Sequence, residues 1–278
     1  MSLPGLVPPL FSALFDDAAL FPPGNAAMPQ AVRDHAGYRQ AWYAELVGSF
    51  VCPAGRITEL DAAARDADVQ EPIPVAVTVP GGVAELAAAI EEATAQPRLR
   101  LRAIELPVPV DRLPAAIDRL AAVEADCYLE IALTDLSPEV AGRLADAGLG
   151  LKLRTGGTNA AAFPEPNVLG RAITVATGAG GRFKCTAGLH NAVAHTDPAT
   201  GFAHHGFLNV LLAVQAALAG EEPARILRST HSAMLAGHAG ALSDAEVTAL
   251  RVRFASIGSC SVIEPLTDLV NLGVVANP

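Results

Sequence analysis

Eight short strand-like runs recur along the chain, and helical patterning fills the intervals between them. The runs are Ala13–Asp17, Ser49–Pro53, Pro74–Val79, Leu101–Pro107, Tyr128–Leu133, Leu149–Arg154, Arg182–Thr186 and Phe254–Gly258. Helix signals cover Val83–Thr94, Asp111–Val123, Pro138–Ala147 and Asp244–Phe254. Ser137 before Pro138 reads as an N-cap ahead of a first-turn proline, with Gly148 as the residue beyond the helix end. Ser243 and Glu246 have the spacing of a capping box. Strict alternation implies parallel strands joined by crossover helices, and eight units in 278 residues imply a closed (β/α)8 barrel forming a single domain. An open doubly wound sheet is the alternative, weakened because no Gly-x-Gly-x-x-Gly turn follows the first run.

Composition narrows the partners. Apolar residues make up 51% of the chain and mean hydropathy is +0.34, yet the longest apolar run, Gly206 to Gly220, is shorter than the roughly 18 residues a membrane span needs. It also contains Asn209 and Gln215. Met1–Phe15 has no basic segment ahead of its apolar residues, so the expected location is cytoplasmic. A formal charge of −10 argues against nucleic acid or an anionic membrane as partner. Cys52, Cys127, Cys185 and Cys260 are far apart in sequence and read as free thiols. The Ala-rich apolar composition is compatible with a homodimer. Tyr38 and Trp42 share a helical face with Glu45, a spacing that suggests packing.

One connection is anomalous. From the seventh run to the last helix, 189–242 is far longer than an ordinary βα loop. It holds six of the seven histidines, His190, His195, His204, His205, His231 and His238. A helix is expected at Phe207–Ala219, and an insertion at this point of a barrel is expected over the active-site face.

The basic residues divide unevenly into 17 arginines and two lysines, Lys152 and Lys184. Unlike guanidinium, an ammonium can lose its proton and become a nucleophile. Strand periodicity places Leu149, Leu151 and Leu153 toward the helices and therefore Lys152 and Arg154 inward. Phe183 and Cys185 fall outward and Lys184 inward; the same alternation turns Glu130 and Glu105 inward. Two inward ammonium groups on neighbouring strands would repel, so at least one lysine is expected to have a depressed pKa and to suit Schiff-base chemistry with a carbonyl substrate. The alternative is a lysine held in a buried ion pair with a barrel glutamate.

These residues resemble motifs of the deoxyribose-phosphate-aldolase type of class I aldolases. Lys152-Leu153-Arg154-Thr155-Gly156 resembles its Lys-Thr-Ser-Thr-Gly motif, whose lysine forms the imine. Phe183-Lys184, with Gly188 four residues on, resembles Phe-Lys-Pro-Ala-Gly-Gly-x-Arg, whose lysine tunes the first. Asp17-Ala18-Ala19-Leu20 is similar to Asp-His-Thr-Leu, and Val51-Cys52-Pro53 to Val-Cys-Val-x-Pro. Ile104-Glu105-Leu106 is similar to Ile-Asp-Met, whose Asp assists proton transfer. Leu129-Glu130-Ile131 through Leu136 resembles Ile-Glu-Thr-x-x-Leu. Ile257-Gly258-Ser259-Cys260-Ser261 resembles the phosphate-binding Ile-Gly-Thr-Ser-Ser. The chain departs from the pattern in several places: Leu153-Arg154 follow the first lysine, Cys185-Thr186-Ala187 the second, and His190 stands where the family has its phosphate-binding arginine.

The resemblance implies a lyase in which Lys152 attacks an aldehyde or ketone, Lys184 tunes it, and Glu105 with Asp17 moves protons. Glu130, Arg154, Gly188, His190, Gly258, Ser259 and Ser261 would contact a small carbonyl substrate, the Gly258–Ser261 turn offering backbone N–H groups to an anionic end. No cofactor is required. Two other classes stay open. A metal enzyme would hold Zn²⁺ or Mn²⁺ on His190, His195 and His204, with Asp197 and His205 nearby. A barrel of this fold could also bind a ligand without catalysis.

Overall fold

The computed structural model describes residues 6–278; the first five residues of the Met1–Phe15 stretch lie outside them. Ten strands occur along the described chain: β1 (Phe15–Asp17), β2 (Val47–Pro53), β3 (Ile73–Thr78), β4 (Leu99–Pro107), β5 (Asp126–Glu130), β6 (Gly150–Arg154), β7 (Phe183–Thr186), β8 (His195–Thr196), β9 (Ala203–His204) and β10 (Phe254–Ser259). All except β8 and β9 join in one closed parallel barrel, in the order β1-β2-β3-β4-β5-β6-β7-β10. The chain is therefore a (β/α)8 barrel, and each of the eight runs read from the sequence overlaps one stave. The remaining two strands form an antiparallel ribbon, His195 opposite His204.

Eleven helices follow the strands: α1 (Met28–Tyr38), α2 (Ile57–Asp66), α3 (Leu86–Ala95), α4 (Leu113–Leu120), α5 (Pro138–Asp146), α6 (Pro166–Gly178), α7 (Phe207–Leu218), α8 (Pro223–Leu227), α9 (Ser232–Ala241), α10 (Asp244–Arg253) and α11 (Ile263–Asn271). Local chemistry sets their ends. The Ser137 hydroxyl accepts the Val140 N–H at 3.2 Å, and Gly148 takes φ +70°, where a side chain would be strained. Ser243 and Glu246 close a reciprocal capping box on α10.

The two faces of each stave have different neighbours. Outward residues such as Phe50, Val77, Leu151, Phe183 and Ile257 form one continuous core with the helices. Phe183 meets Phe254 edge-on at 5.2 Å between ring centroids. The inward faces form a second, small apolar group of Ala18, Val51, Ala76, Ala103, Tyr128 and Ala255. Tyr128 lies across the lower barrel, so close to Gly150 that a Cβ there would stand 2.5 Å from its ring. Only glycine fits that position.

The long connection divides into two parts, which corrects the expectation that 189–242 lies over the active-site face. Leu189–Gly206, with the β8–β9 ribbon, sits at the end of the barrel where the strands finish. The α7 helix instead joins the outer ring, fully buried along most of its length and packed against α6, α8 and β10; Phe207 contacts Phe15 edge-on at 5.1 Å. A helix as apolar as Phe207–Leu218 is stable only when covered on nearly all sides, and the barrel wall supplies that cover. No helix among the described residues is long and apolar enough to cross a membrane.

Candidate active site

Six adjacent staves, β4, β5, β6, β7, β10 and β1, place polar side chains inside the barrel, while β2 and β3 contribute the small apolar Val51 and Ala76. Lys152 and Lys184 are directly opposed in the β6–β7 register, as strand alternation requires. Glu105, only 2% exposed, lies between them. One of its carboxylate oxygens meets Lys152 Nζ at 2.9 Å and the other Lys184 Nζ at 2.6 Å. Glu130 meets Lys152 Nζ at 3.2 Å and accepts Nε of Arg154 at 2.7 Å. At the opposite end, Asp16 accepts from Lys184 Nζ at 2.5 Å and from the Ser256 hydroxyl at 2.5 Å. The result is a continuous row of alternating charge: Arg154, Glu130, Lys152, Glu105, Lys184, Asp16.

This row changes the expected electrostatics. Repulsion between two ammonium groups was expected to depress a lysine pKa. Burial does push Lys184 down, but Asp16 and Glu105 outweigh it and raise its pKa above the ordinary lysine value. Lys184 is therefore a held cation, the ion-paired arrangement that stood as the alternative. Burial alone would raise the Glu105 pKa, but Lys152 and Lys184 overcome it and hold the carboxyl at about 2. Glu130 is likewise lowered, burial being outweighed by Lys152 and Arg154. Lys152 is slightly more open, at 7% exposure against 1% for Lys184.

Asp17 does not enter the row. Its carboxylate turns away from the interior to the buried His35 on α1, Oδ2 to Nδ1 3.0 Å, and also accepts the Ala19 N–H at 3.2 Å. The inward acid of β1 is Asp16, which the sequence reading missed. Its second oxygen accepts the Ser49 N–H at 2.8 Å, an approach that depends on Gly48, where a Cβ would collide with that oxygen. The signal was present: Phe15 packs outward, so Asp17, two residues on, must share its face and Asp16 must point in.

The mouth is formed by the strand ends and the ribbon. Thr155 donates its hydroxyl to the carbonyls of Thr186 and Ala187 at 3.0 and 2.6 Å, tying the end of β6 to that of β7. Gly188 has φ +76°, and Phe163 packs so closely on Gly156 and Gly188 that a Cβ at either would lie 2.9 Å from the ring. The Phe163 ring stacks obliquely on His204 at 4.3 Å, with His195 5.2 Å beyond. Gly258 faces Thr186, and the Ser259 hydroxyl donates to the Ser261 carbonyl at 2.7 Å. His190 Nδ1 lies 3.0 Å from Glu264 of α11, with the Cys260 sulfur 3.6 Å from the same ring.

The histidine-rich segment does not gather the ligands of the alternative metal site. His190 pairs with Glu264, His195 and His204 stack in the ribbon, His205 Nε2 lies 2.7 Å from the Pro164 carbonyl, and Asp197 caps the ribbon turn through the Ala199 and Thr200 N–H groups. Burial lowers the pKa of both His204 and His205. Among the described residues, no three His, Cys, Asp or Glu side chains are placed to hold a metal ion.

No protein-family model matches the sequence, the deoxyribose-phosphate-aldolase type included, and no curated protein matches it. Among solved structures the chain is similar to the YdjI aldolase from Escherichia coli K12, at 10% identity and a TM-score of 0.39, over 96% of this chain and 92% of that one. A likeness at that level carries no argument about chemistry.

Proposed function

We propose that the protein is a lyase of the Schiff-base type, with Lys152 as nucleophile toward a small aldehyde or ketone. The observation that supports this is the pairing of the two lysines on one shared carboxylate, with Lys184 fixed as a cation beside a more accessible Lys152. Glu130, in contact with Lys152 and nearer the solvent, takes the ammonium proton and frees the amine lone pair. The amine attacks the carbonyl carbon, the carbonyl oxygen takes up a proton, and loss of water leaves a protonated imine. In the cleavage direction, a base removes the proton of the hydroxyl on the carbon β to the imine carbon, and the C–C bond breaks. Its electron pair moves into the iminium to give an enamine. Protonation of the enamine carbon and hydrolysis return the lysine. The Lys184 charge favours this cycle by keeping Glu105 ionised for proton movement.

Borohydride reduction in the presence of a panel of aldehydes, ketones and aldol sugars, followed by peptide mass mapping, tests the proposal. The expected result is a reduced adduct on the peptide holding Lys152 that disappears in Lys152→Arg. No adduct with any member of the panel, or an adduct that persists in Lys152→Arg, removes the reading.

A further inference from the structure

In (β/α)8 barrels the loops after the last two inner staves and the helix start that follows commonly cradle a phosphate, because backbone N–H groups and the helix dipole converge there. In this chain that corner is occupied by the protein's own groups. Glu264, in the first turn of α11, places a carboxylate there and pairs it with His190 at 3.0 Å. The Ser261 hydroxyl accepts the Glu264 N–H at 3.2 Å, and the Ser259 hydroxyl is turned to the Ser261 carbonyl. Asp268 fastens the opposite loop through the Ala192 N–H at 2.7 Å.

The cations carried by the stave ends are equally engaged. Arg154 forks onto Glu130, Lys152 lies between Glu130 and Glu105, and Lys184 lies between Glu105 and Asp16. An incoming dianion would have to break one of these pairs and face Glu264. A hydroxyl group, by contrast, can donate to the Glu264 carboxylate while His190 keeps its contact with the same carboxylate, so that no charge is displaced.

We infer that the His190–Glu264 pair is a specificity element that admits carbonyl substrates with an uncharged, hydroxyl-bearing end and turns away their phosphorylated counterparts. The inference rests on the Lys152 imine reading and adds a substrate class to it.

Competition between glycolaldehyde and glycolaldehyde phosphate at equal, sub-saturating concentration, with borohydride trapping and intact-mass readout, tests it. Wild-type protein should trap the unphosphorylated aldehyde by about tenfold or more, a ratio corresponding to about 1.4 kcal/mol. Glu264→Gln, checked for an unchanged melting temperature because Glu264 lies at the surface, should bring the ratio toward unity. Inorganic phosphate at millimolar concentration should leave the wild-type melting temperature unmoved, a readout that needs no imine. Equal or preferential trapping of the phosphorylated aldehyde overturns the inference, as does a ratio unchanged in Glu264→Gln or a phosphate-induced stabilisation lost in His190→Ala. Absence of any adduct overturns the imine reading and this inference with it, and differs visibly from a reversed ratio.

Discussion

Glu105 is the residue on which the interior depends. Its two oxygens neutralise two lysines at once, so Glu105→Gln leaves both ammonium groups short of a partner. Breaking a buried pair in this way costs roughly 3–5 kcal/mol; the expected readout is a lower urea midpoint with an unchanged m-value. The same pairs set the pH profile. Glu105 is depressed when folded, so its contribution is present above the ordinary glutamate pKa of about 4.3 and is lost as pH falls from there toward about 2. Lys184 is raised when folded, so its contribution is complete below the ordinary lysine pKa of about 10.4 and is lost as pH rises beyond it. Denaturant titrations across pH should therefore show a plateau that falls at both ends, and in Glu105→Gln the acid limb should flatten. The inward positions of Lys152, Lys184, Glu105 and Glu130 were legible from alternation alone. Ion pairing with a barrel glutamate stood only as the alternative, and the sharing of Glu105 between both lysines was not legible, because alternation gives a face but not the length and reach that let one carboxylate serve two amines.

Among the elements, the eight staves and the capped helices were legible because periodicity and capping are local signals; Ser137 and Ser243 cap where their sequences indicate. Ser243→Ala removes the hydroxyl half of the α10 capping box, leaving the backbone N–H of this position on Glu246, and should cost about 1 kcal/mol in thermal or chemical denaturation. The 189–242 connection was misread as a unit because an apolar helix carries no signal of which surface covers it. Asn209 shows how the segment is held. From within α7 it accepts the Ala194 N–H at 2.9 Å and donates to the Ile226 and Ser229 carbonyls at 2.7 and 2.8 Å. Asn209→Ala leaves these three groups unsatisfied in a buried place, so a loss of roughly 2–3 kcal/mol is expected. Amide exchange should accelerate first across the ribbon, which Asn209 anchors at its base.

For the whole molecule, the barrel closes over a polar arc on six staves and a small apolar arc on two. Tyr128 seals the lower interior against Gly150, and Gly150→Val should destabilise the entire barrel by roughly 3 kcal/mol or more through overpacking, seen as one cooperative transition at lower denaturant. The row from Arg154 to Asp16 has three formal positive and three formal negative charges, so its sum is zero. A protonated imine at Lys152 carries the same unit charge as the ammonium it replaces, whereas an amide there carries none. The charge balance of the row thus distinguishes a charge-conserving change at Lys152 from a neutralising one. Reductive dimethylation of Lys152, which conserves charge, should lower the melting temperature less than acetylation, which strands Glu130 and Glu105 with an uncompensated negative charge.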